Sequence, residues 1–362
     1  MKKIISIFLL IFLFTTCVSY NVHHSRTFVN KINFPNLDGY ITLLCDFHMH
    51  TVFSDGHVWP TVRVEEAYYD GLDAISITDH IEYRVNKNFA SASNNSSYEI
   101  ALTSGKADNV IIIKGSEITR TMPPGHFNVL FMNDCDKLIH DNYMDSFLAA
   151  KEQNAFFIWN HPAWKKQQHN RKTVWWPEHT ELLELDMFHG IEVVNDGIYS
   201  PEAHMWCLEK NLAIISGTDS HTLIRNFRSG KHRTMTLVFA RERSAQSIYE
   251  ALMDKRTAIY HNQTIIGEEK YLREIFEKSV DINAVQKDNN LQIILKNDSE
   301  LVFYIRIDNN SELSKKIYTL KPNNEQICNI KLSNNNDNLL LLIIENLLVG
   351  PNIKMKYISE II

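Results

Sequence analysis

The sequence predicts an α/β protein built as a β/α barrel with a small all-β region behind it, and three observations carry that reading. Short apolar segments alternate with amphipathic helical patterns from Tyr40 to about residue 278, the rhythm of strands joined by crossover helices. His48, His80, Glu117, His161, Asp219 and His221 each fall at or just beyond the C-terminal end of a predicted strand. In a barrel those ends share one face, whereas an open doubly wound sheet would gather its chemistry at one switch point. Beyond residue 278 the chain turns Asn-rich, lacks histidine and reads as short alternating strands separated by turn-forming clusters.

Length and charge leave room for this arrangement. A chain of 362 residues accommodates one large domain with a real core and a small appendage. The segments read as a leader over residues 1–19, a metal-dependent hydrolase barrel over 40–278 and a β-rich region over 279–362. The formal charge of -6 argues against a broad footprint for nucleic acid, which is not expected as a partner; a local basic pocket for one phosphate remains compatible.

The first residues address the compartment. Met1-Lys2-Lys3 precede an almost wholly apolar run, Ile4 to Phe14, and Thr15-Thr16 follow. The run is too short to span a bilayer as a mature helix and reads as a secretory signal. Export to the periplasm is expected, or anchoring at the outer membrane if Cys17 carries a lipid. The remaining cysteines, Cys45, Cys135, Cys207 and Cys328, form no CxxC pair and read as buried thiols.

The elements follow in order. A strand over Tyr40–Phe47 leads to a helix that Pro60 and Thr61 open and Gly71 closes. Asp73–Thr78 is the next strand. Val110–Ile113, Phe127–Phe131, Phe156–Trp159, Ile191–Val194, Leu212–Ile215 and Met235–Phe239 continue the series, and helical patterns lie at Tyr143–Glu152, Pro201–Lys210 and Ser244–Lys255. Such a series implies parallel strands with crossover connections. In the tail, Leu291–Leu295, Leu301–Ile307, Gln326–Leu332 and Leu339–Ile344 alternate as short strands.

The chemistry begins at His48-Met49-His50, where alternation on an extended segment puts both imidazoles on one side, as a chelate requires. Asp55, on the turn marked by Gly56, is close enough to add a hard oxygen ligand. Ile77-Thr78-Asp79-His80 brings another strand-end histidine, with Asp79 placed to orient an imidazole. Glu117 ends a very apolar strand, and a carboxylate there is able to bridge two ions. His126 opens a strand nine residues later, Asn160-His161-Pro162 adds a histidine, and Asp219-Ser220-His221 repeats the alternating geometry. Nine donors of mixed nitrogen and oxygen type are too many for one closed structural site, which would hold four ligands and usually be Cys-rich. They suit Mn, Zn or Fe and argue against copper–thiolate or iron–sulfur chemistry.

In order and spacing, His48-x-His50, Ser54-Asp55-Gly56, Thr78-Asp79-His80, Glu117, His126, His161-Pro162 and Asp219-x-His221 resemble the PHP (polymerase and histidinol phosphatase) family over roughly residues 40–265. The runs Arg120-x-Met122-Pro123-Pro124-Gly125-His126-Phe127-Asn128 and Trp176-Pro177-Glu178-His179-Thr180-Glu181-Leu182 are similar to a narrower branch, the exported Sb-PDE-type phosphodiesterases. That branch usually reads Asn-Ser-Asp-Ile-His where this chain has Gly217-Thr218-Asp219-Ser220-His221, so the ligands survive and substrate detail is what the departure touches. The resemblance implies a distorted (β/α)7 barrel, a site of two or three divalent ions, and hydrolysis of small-molecule phosphate esters, phosphodiesters ahead of phosphomonoesters. Carried over by position, it makes His48, His50, Asp55, His80, Glu117, His126, His161, Asp219 and His221 the metal ligands.

A metal-activated hydroxide attacking phosphorus in line then needs no protein nucleophile. Arg120 is a candidate to hold a non-bridging oxygen, with Arg84, Lys165, Lys166 and Arg225 as weaker phosphate clamps. Trp159, Trp164, Trp175 and Trp176 either wall a pocket for an apolar ester group or form an ordinary packing cluster. Two other readings compete. An amidohydrolase-like C–N or ester hydrolase also begins with HxH, but Glu117 on an early strand and the closing Asp219-x-His221 argue against it. A non-catalytic exported binder of metal or phosphate would not need the full donor set.

Overall fold

Strand β1 (Ile41–Asp46), helix α1 (Pro60–Tyr69), β2 (Ala74–Ile77), α2 (Ser96–Asp108) and β3 (Ile111–Ile118) form the first parallel unit, with Cys45 opposite Ala74 and Ala74 opposite Ile111. The structure is a computed structural model that describes residues 31–90, 93–168, 173–224, 232–287, 290–308, 316–331 and 339–360. The expected leader over residues 1–19, with Cys17, lies outside the described residues, as does Arg225.

The chain continues through β4 (Phe127–Leu130), α3 (Tyr143–Lys151), β5 (Phe156–Trp159), α4 (Pro177–Glu184) and β6 (Gly190–Asn195). Then come β7 (Ile198–Tyr199), α5 (Pro201–Lys210), β8 (Ala213–Gly217), β9 (Met235–Ala240), α6 (Ala245–Met253), β10 (Thr257–His261), β11 (Thr264–Gly267) and α7 (Glu269–Glu277). Proline opens α1, α4 and α5, where its missing N–H costs nothing. Every residue of β2, β5, β6, β8 and β9 is buried, which explains why these strands read as continuous apolar runs instead of alternating ones.

Two expectations need correction. The strands are not all parallel: β4 is antiparallel to both β3 and β5, and β9 is antiparallel to β1. The connection from Ile118 to Phe127 carries no crossover helix, and a connection without one returns the chain antiparallel. The barrel is also not closed as a sheet. Its strand order runs β9-β1-β2-β3-β4-β5-β6, with β8 on β6, and no ladder joins β8 to β9 among the described residues. Threonine hydroxyls occupy that seam instead. Thr236 Oγ1 accepts from Ser216 N at 2.9 Å and donates to Ser216 O at 3.0 Å, and Thr257 Oγ1 accepts from Ile214 N at 3.2 Å. These satisfy the buried backbone that a strand partner would otherwise take. The sheet still curls far enough for Cys45, Ile113, Ile158, Ile215 and Val238, from five different strands, to share one apolar cluster.

Past α7 every described element is a strand. Strands β12 (Val280–Lys287), β13 (Asn290–Asn297) and β16 (Asn324–Lys331) form a separate antiparallel sheet. Strands β14 (Phe303–Ile307), β15 (Ile317–Leu320), β17 (Leu339–Gly350) and β18 (Ile353–Glu360) instead extend the large sheet, through β17 lying parallel to β11 with Ile265 opposite Leu347. Asn346, on β17, donates through Nδ2 to Gln263 O at 2.6 Å and Val302 O at 2.8 Å, so the tail grips the β10–β11 turn. The four described cysteines are free and buried.

Candidate metal centre

The centre is assembled from strand ends. Two residues past β1, His48 turns its imidazole inward, and His50 follows with its Nε2 only 3.1 Å from His48 Nε2. The loop after them folds back tightly. A Cβ on Gly56 would lie 2.6 Å from the His50 carbonyl carbon, so glycine is needed for the approach. Asp79 pins this loop: it accepts from Thr51 N (2.7 Å), Thr51 Oγ1 (2.6 Å) and Ser54 Oγ (2.7 Å). The pinned loop carries Asp55 Oδ1 to 3.2 Å from His221 Nε2 and 3.5 Å from His80 Nε2. Asp79 therefore shapes the loop that presents Asp55, and the expectation that it orients an imidazole is corrected.

Glu117, at the end of β3, is the hub. Its Oε1 is 3.0 Å from His126 Nδ1 and 3.5 Å from His161 Nε2, and it accepts from Asn160 Nδ2 at 2.9 Å. Its Oε2 is 2.7 Å from His80 Nδ1, 3.5 Å from His50 Nε2 and 3.7 Å from His48 Nε2. Glu117 is fully buried, and Oε2 accepts no hydrogen bond despite those neighbours. Opposite it, Asp219 Oδ1 lies 3.0 Å from His50 Nε2 and 3.2 Å from His48 Nε2. His161 (φ 35°) and Asp219 (φ 50°) both sit in the left-handed region. That conformation costs roughly 1–2 kcal/mol per L-residue. It is held by His161 N donating to Glu192 Oε2 at 2.9 Å and Asp219 N donating to His48 O at 2.9 Å.

All nine expected ligands fall into four groups whose donor atoms lie within 4.8 Å of one another: His50–Asp55–His80–His221, His48–His161–Asp219, His48–His50–Glu117 and His80–Glu117–His126. Glu117 belongs to two of them. An orphaned, buried carboxylate oxygen facing converging imidazoles is what a divalent cation would satisfy, so the donor set fits such ions.

Among these donors, imidazole protons offset the carboxylate charge. Burial opposes ionisation of Glu117, yet His80, His126 and His48 outweigh it and hold its carboxyl well below the ordinary range. Asp55 and Asp219 are likewise held low against burial, by imidazole hydrogen bonds and charges. Burial pushes His80 down, but the charge of Glu117 and the hydrogen bond and charge of Asp55 lift it to about 10. Burial and the charge of His80 drop His50 to about 4.

Residues that carried no sequence signal do much of the positioning. Glu192, buried in the middle of β6, accepts from His48 Nδ1 at 2.9 Å. A carboxylate only accepts, so Nδ1 carries a proton and Nε2 is the nitrogen that faces the centre. A charged residue inside an all-buried strand was the one available hint. Fully buried Arg63 donates to His50 O (3.0 Å), Ser220 O (2.6 Å) and Thr222 O (2.9 Å), tying the loops after β1 and β8 together. Its place on an amphipathic helix disguised it as a surface cation.

Arg120 does not reach the centre. Its Nε pairs with Glu82 at 2.9 Å, and its Nη atoms donate to the carbonyls of His140 (2.6 Å) and Asp141 (2.8 Å). Arg84 is committed to Phe53 O and Asn94. Of the tryptophans, Trp164 lines the cavity over the centre, while Trp159 stacks on Trp206 and Trp175 on Phe188 in the core. His179 is a tether: it donates from Nε2 to Pro124 O at 2.7 Å, just ahead of His126, and burial lowers it to about 4. The cavity measures about 300 Å³, and Tyr83, Pro162, Trp164 and Ile198 wall it above Asp55, His80, His126, His161 and Asp219.

No family model matches the chain. An uncharacterised protein of Methanocaldococcus jannaschii is 36% identical over 78 residues, which is 22% of this chain; the match spans about a third of that protein (34%). The solved structure of a two-domain protein from Bacteroides vulgatus, containing a predicted PHP-like metal-dependent phosphoesterase, is 45% identical with a TM-score of 0.87, and the match covers 92% of this chain and 98% of that one. An amidohydrolase from Chromobacterium violaceum is 14% identical over 50% of this chain and 88% of its own, with a TM-score of 0.37, too remote to bear on either fold or chemistry. On the extent and identity of its match to the Bacteroides vulgatus protein, the chain belongs to the PHP-like family of predicted metal-dependent phosphoesterases.

Proposed function

We propose that the protein hydrolyses small-molecule phosphodiesters with two or three divalent ions, Mn, Zn or Fe, held by His48, His50, Asp55, His80, Glu117, His126, His161, Asp219 and His221. The observation that carries the proposal is the convergence of all nine donors into overlapping groups around one buried carboxylate, Glu117. A donor shared between two groups suits a site that clusters positive charge, because a bridging anion offsets the repulsion. Bound there, such ions supply Lewis acidity toward phosphoryl oxygens and activation of water.

The chain's own residues set up that chemistry. Glu192 fixes the His48 tautomer, Asn160 steadies Glu117, Asp79 holds the Asp55 loop, and Tyr83 and Trp164 offer flat walls to an ester group. With Arg120 engaged elsewhere, no protein cation is assigned to the phosphate. The proposal keeps the Sb-PDE-type branch, on the Arg120–Asn128 and Trp176–Leu182 runs, and keeps export, on the leader alone.

The test is hydrolysis of bis(p-nitrophenyl) phosphate and of p-nitrophenyl phosphate after chelation and re-addition of Mn, Zn or Fe, with His48→Ala as control. Metal-restored activity that the variant lacks, and that is greater on the diester, is the expected result. Metal-loaded protein inert on both esters would overturn it.

A further inference from the structure

Two aromatic rings stand in the same relation to the candidate metal centre. Tyr83 lies three residues after His80 and packs edge-on against that imidazole, with ring centroids 5.9 Å apart at 70°. Trp164 lies three residues after His161 and packs edge-on against it at 5.2 Å and 76°, and against His126 at 5.9 Å and 62°. Trp164 N donates to His161 O at 2.8 Å, so a tight turn returns the indole to the centre. Both rings line the cavity of about 300 Å³ over the centre, and Ile198 joins them. None of the three is spent on the core: Tyr83 is 52% exposed, Trp164 41% and Ile198 56%. Large apolar side chains left bare around one concave surface mark a place where an apolar partner covers them.

We propose that this cavity seats one apolar, ring-sized arm of the phosphate ester, an aryl group, among Tyr83, Trp164 and Ile198. The inference rests on the phosphate-ester reading above and names the substituent that reading leaves open. Position supplies the first argument. The two rings touch the imidazoles of three candidate donors, so a phosphoryl group held at those donors directs its nearest substituent onto the rings. Size supplies the second. An apolar cavity of about 150 Å³ accommodates a benzene molecule, so a cavity of about 300 Å³ takes a phosphoryl group together with a single ring. Charge supplies the third. Asp196 lines the same cavity, close enough for its carboxylate to feel Asp219 and His221. A like charge beside it is costly, which disfavours an arm carrying a second phosphate or a carboxylate.

The test measures calorimetric dissociation constants of phenylphosphonate, methylphosphonate and 2-aminoethylphosphonate for the metal-reloaded full chain. All three present the same phosphoryl oxygens and differ in their single arm. Phenylphosphonate is expected to bind roughly 10- to 100-fold more tightly than methylphosphonate, the gain from covering a ring-sized apolar surface. Tyr83→Ala and Trp164→Ala are each expected to shrink that ratio by about 3- to 10-fold, and Trp164→Phe to keep most of it. Because the ratio is taken within one protein, loss of folded or metal-loaded material does not imitate the effect. Equal constants for phenyl and methyl in the wild type, an unchanged ratio in both alanine variants, or tighter binding of the cationic aminoethyl arm than of phenyl would each overturn the assignment while leaving the phosphate-ester reading standing. If none of the three phosphonates binds, that reading falls, and this one with it.

Discussion

His48 Nδ1 donates to Glu192 Oε1 across 2.9 Å, and Glu192 Oε2 accepts from His161 N at the same distance. One buried carboxylate thus orients an imidazole and holds the backbone of a second candidate ligand, His161, in its left-handed conformation. Glu192→Ala is expected to weaken metal binding by about 10- to 100-fold, the usual cost of removing a residue that orients a ligand. Competitive titration against a chromogenic chelator measures it, and an unchanged affinity would remove Glu192 from the site.

Gly217 gives an independent check on the same contact. A Cβ there would lie 2.1 Å from Glu192 Oε1 and 2.5 Å from His48 Cβ. Gly217→Ala is expected to cost about 1–3 kcal/mol of stability, the range for overpacking a tight interior, and to lower metal affinity along with it. Urea denaturation without metal reads the first effect, and metal titration the second.

Metal uptake is expected to release protons. His80, lifted to about 10 in the ion-free centre, is protonated at pH 7, and an ion must displace that proton. Calorimetric heats of binding in buffers of different ionisation enthalpy should differ accordingly, and affinity should fall as pH falls; identical heats would contradict the arrangement.

The signs for ion-free stability follow the same groups. His80, raised above its ordinary 6.5, stabilises fully below that pH and loses its contribution as pH rises through about 10. Asp55, Asp219 and Glu117, held low, contribute above about pH 4 and lose that contribution as pH falls further. For these groups, melting temperatures should therefore drop below about pH 4 and again above about pH 6.5, with a mildly acidic plateau between.

Arg120→Ala is expected to change kcat/KM by less than about threefold while lowering the melting temperature, because its guanidinium holds Glu82 and the carbonyls of His140 and Asp141. A hundredfold loss of activity with stability intact would restore it as a phosphate clamp.

The donor cluster was legible because strand-end placement is a one-dimensional pattern: His48, Glu117, His161 and Asp219 each follow a short apolar run. The residues that position them were not, because Glu192, Arg63 and Asn160 act through contacts between segments far apart in sequence. Asp79 and Arg120 were misassigned for the same reason: adjacency to His80 and Glu117 says where the backbone goes and leaves the side chain's direction open. The antiparallel β4 could have been read from its short connection to β3. The seam between β8 and β9 could not, since it depends on the Thr236 and Thr257 hydroxyls meeting β8.

The parallel pairing of β17 with β11 bears on how this architecture can be cut. Residues 279–362 look detachable on paper, yet ending the chain after α7 would leave β11 paired with β10 on one side only and turn the other edge of Ile265–Ile266 into a raw, adhesive margin. A shortened gene would yield a sticky product before it yielded a smaller enzyme, and grafting a foreign tail onto the catalytic portion would succeed only if the newcomer supplied a strand to sheathe that margin.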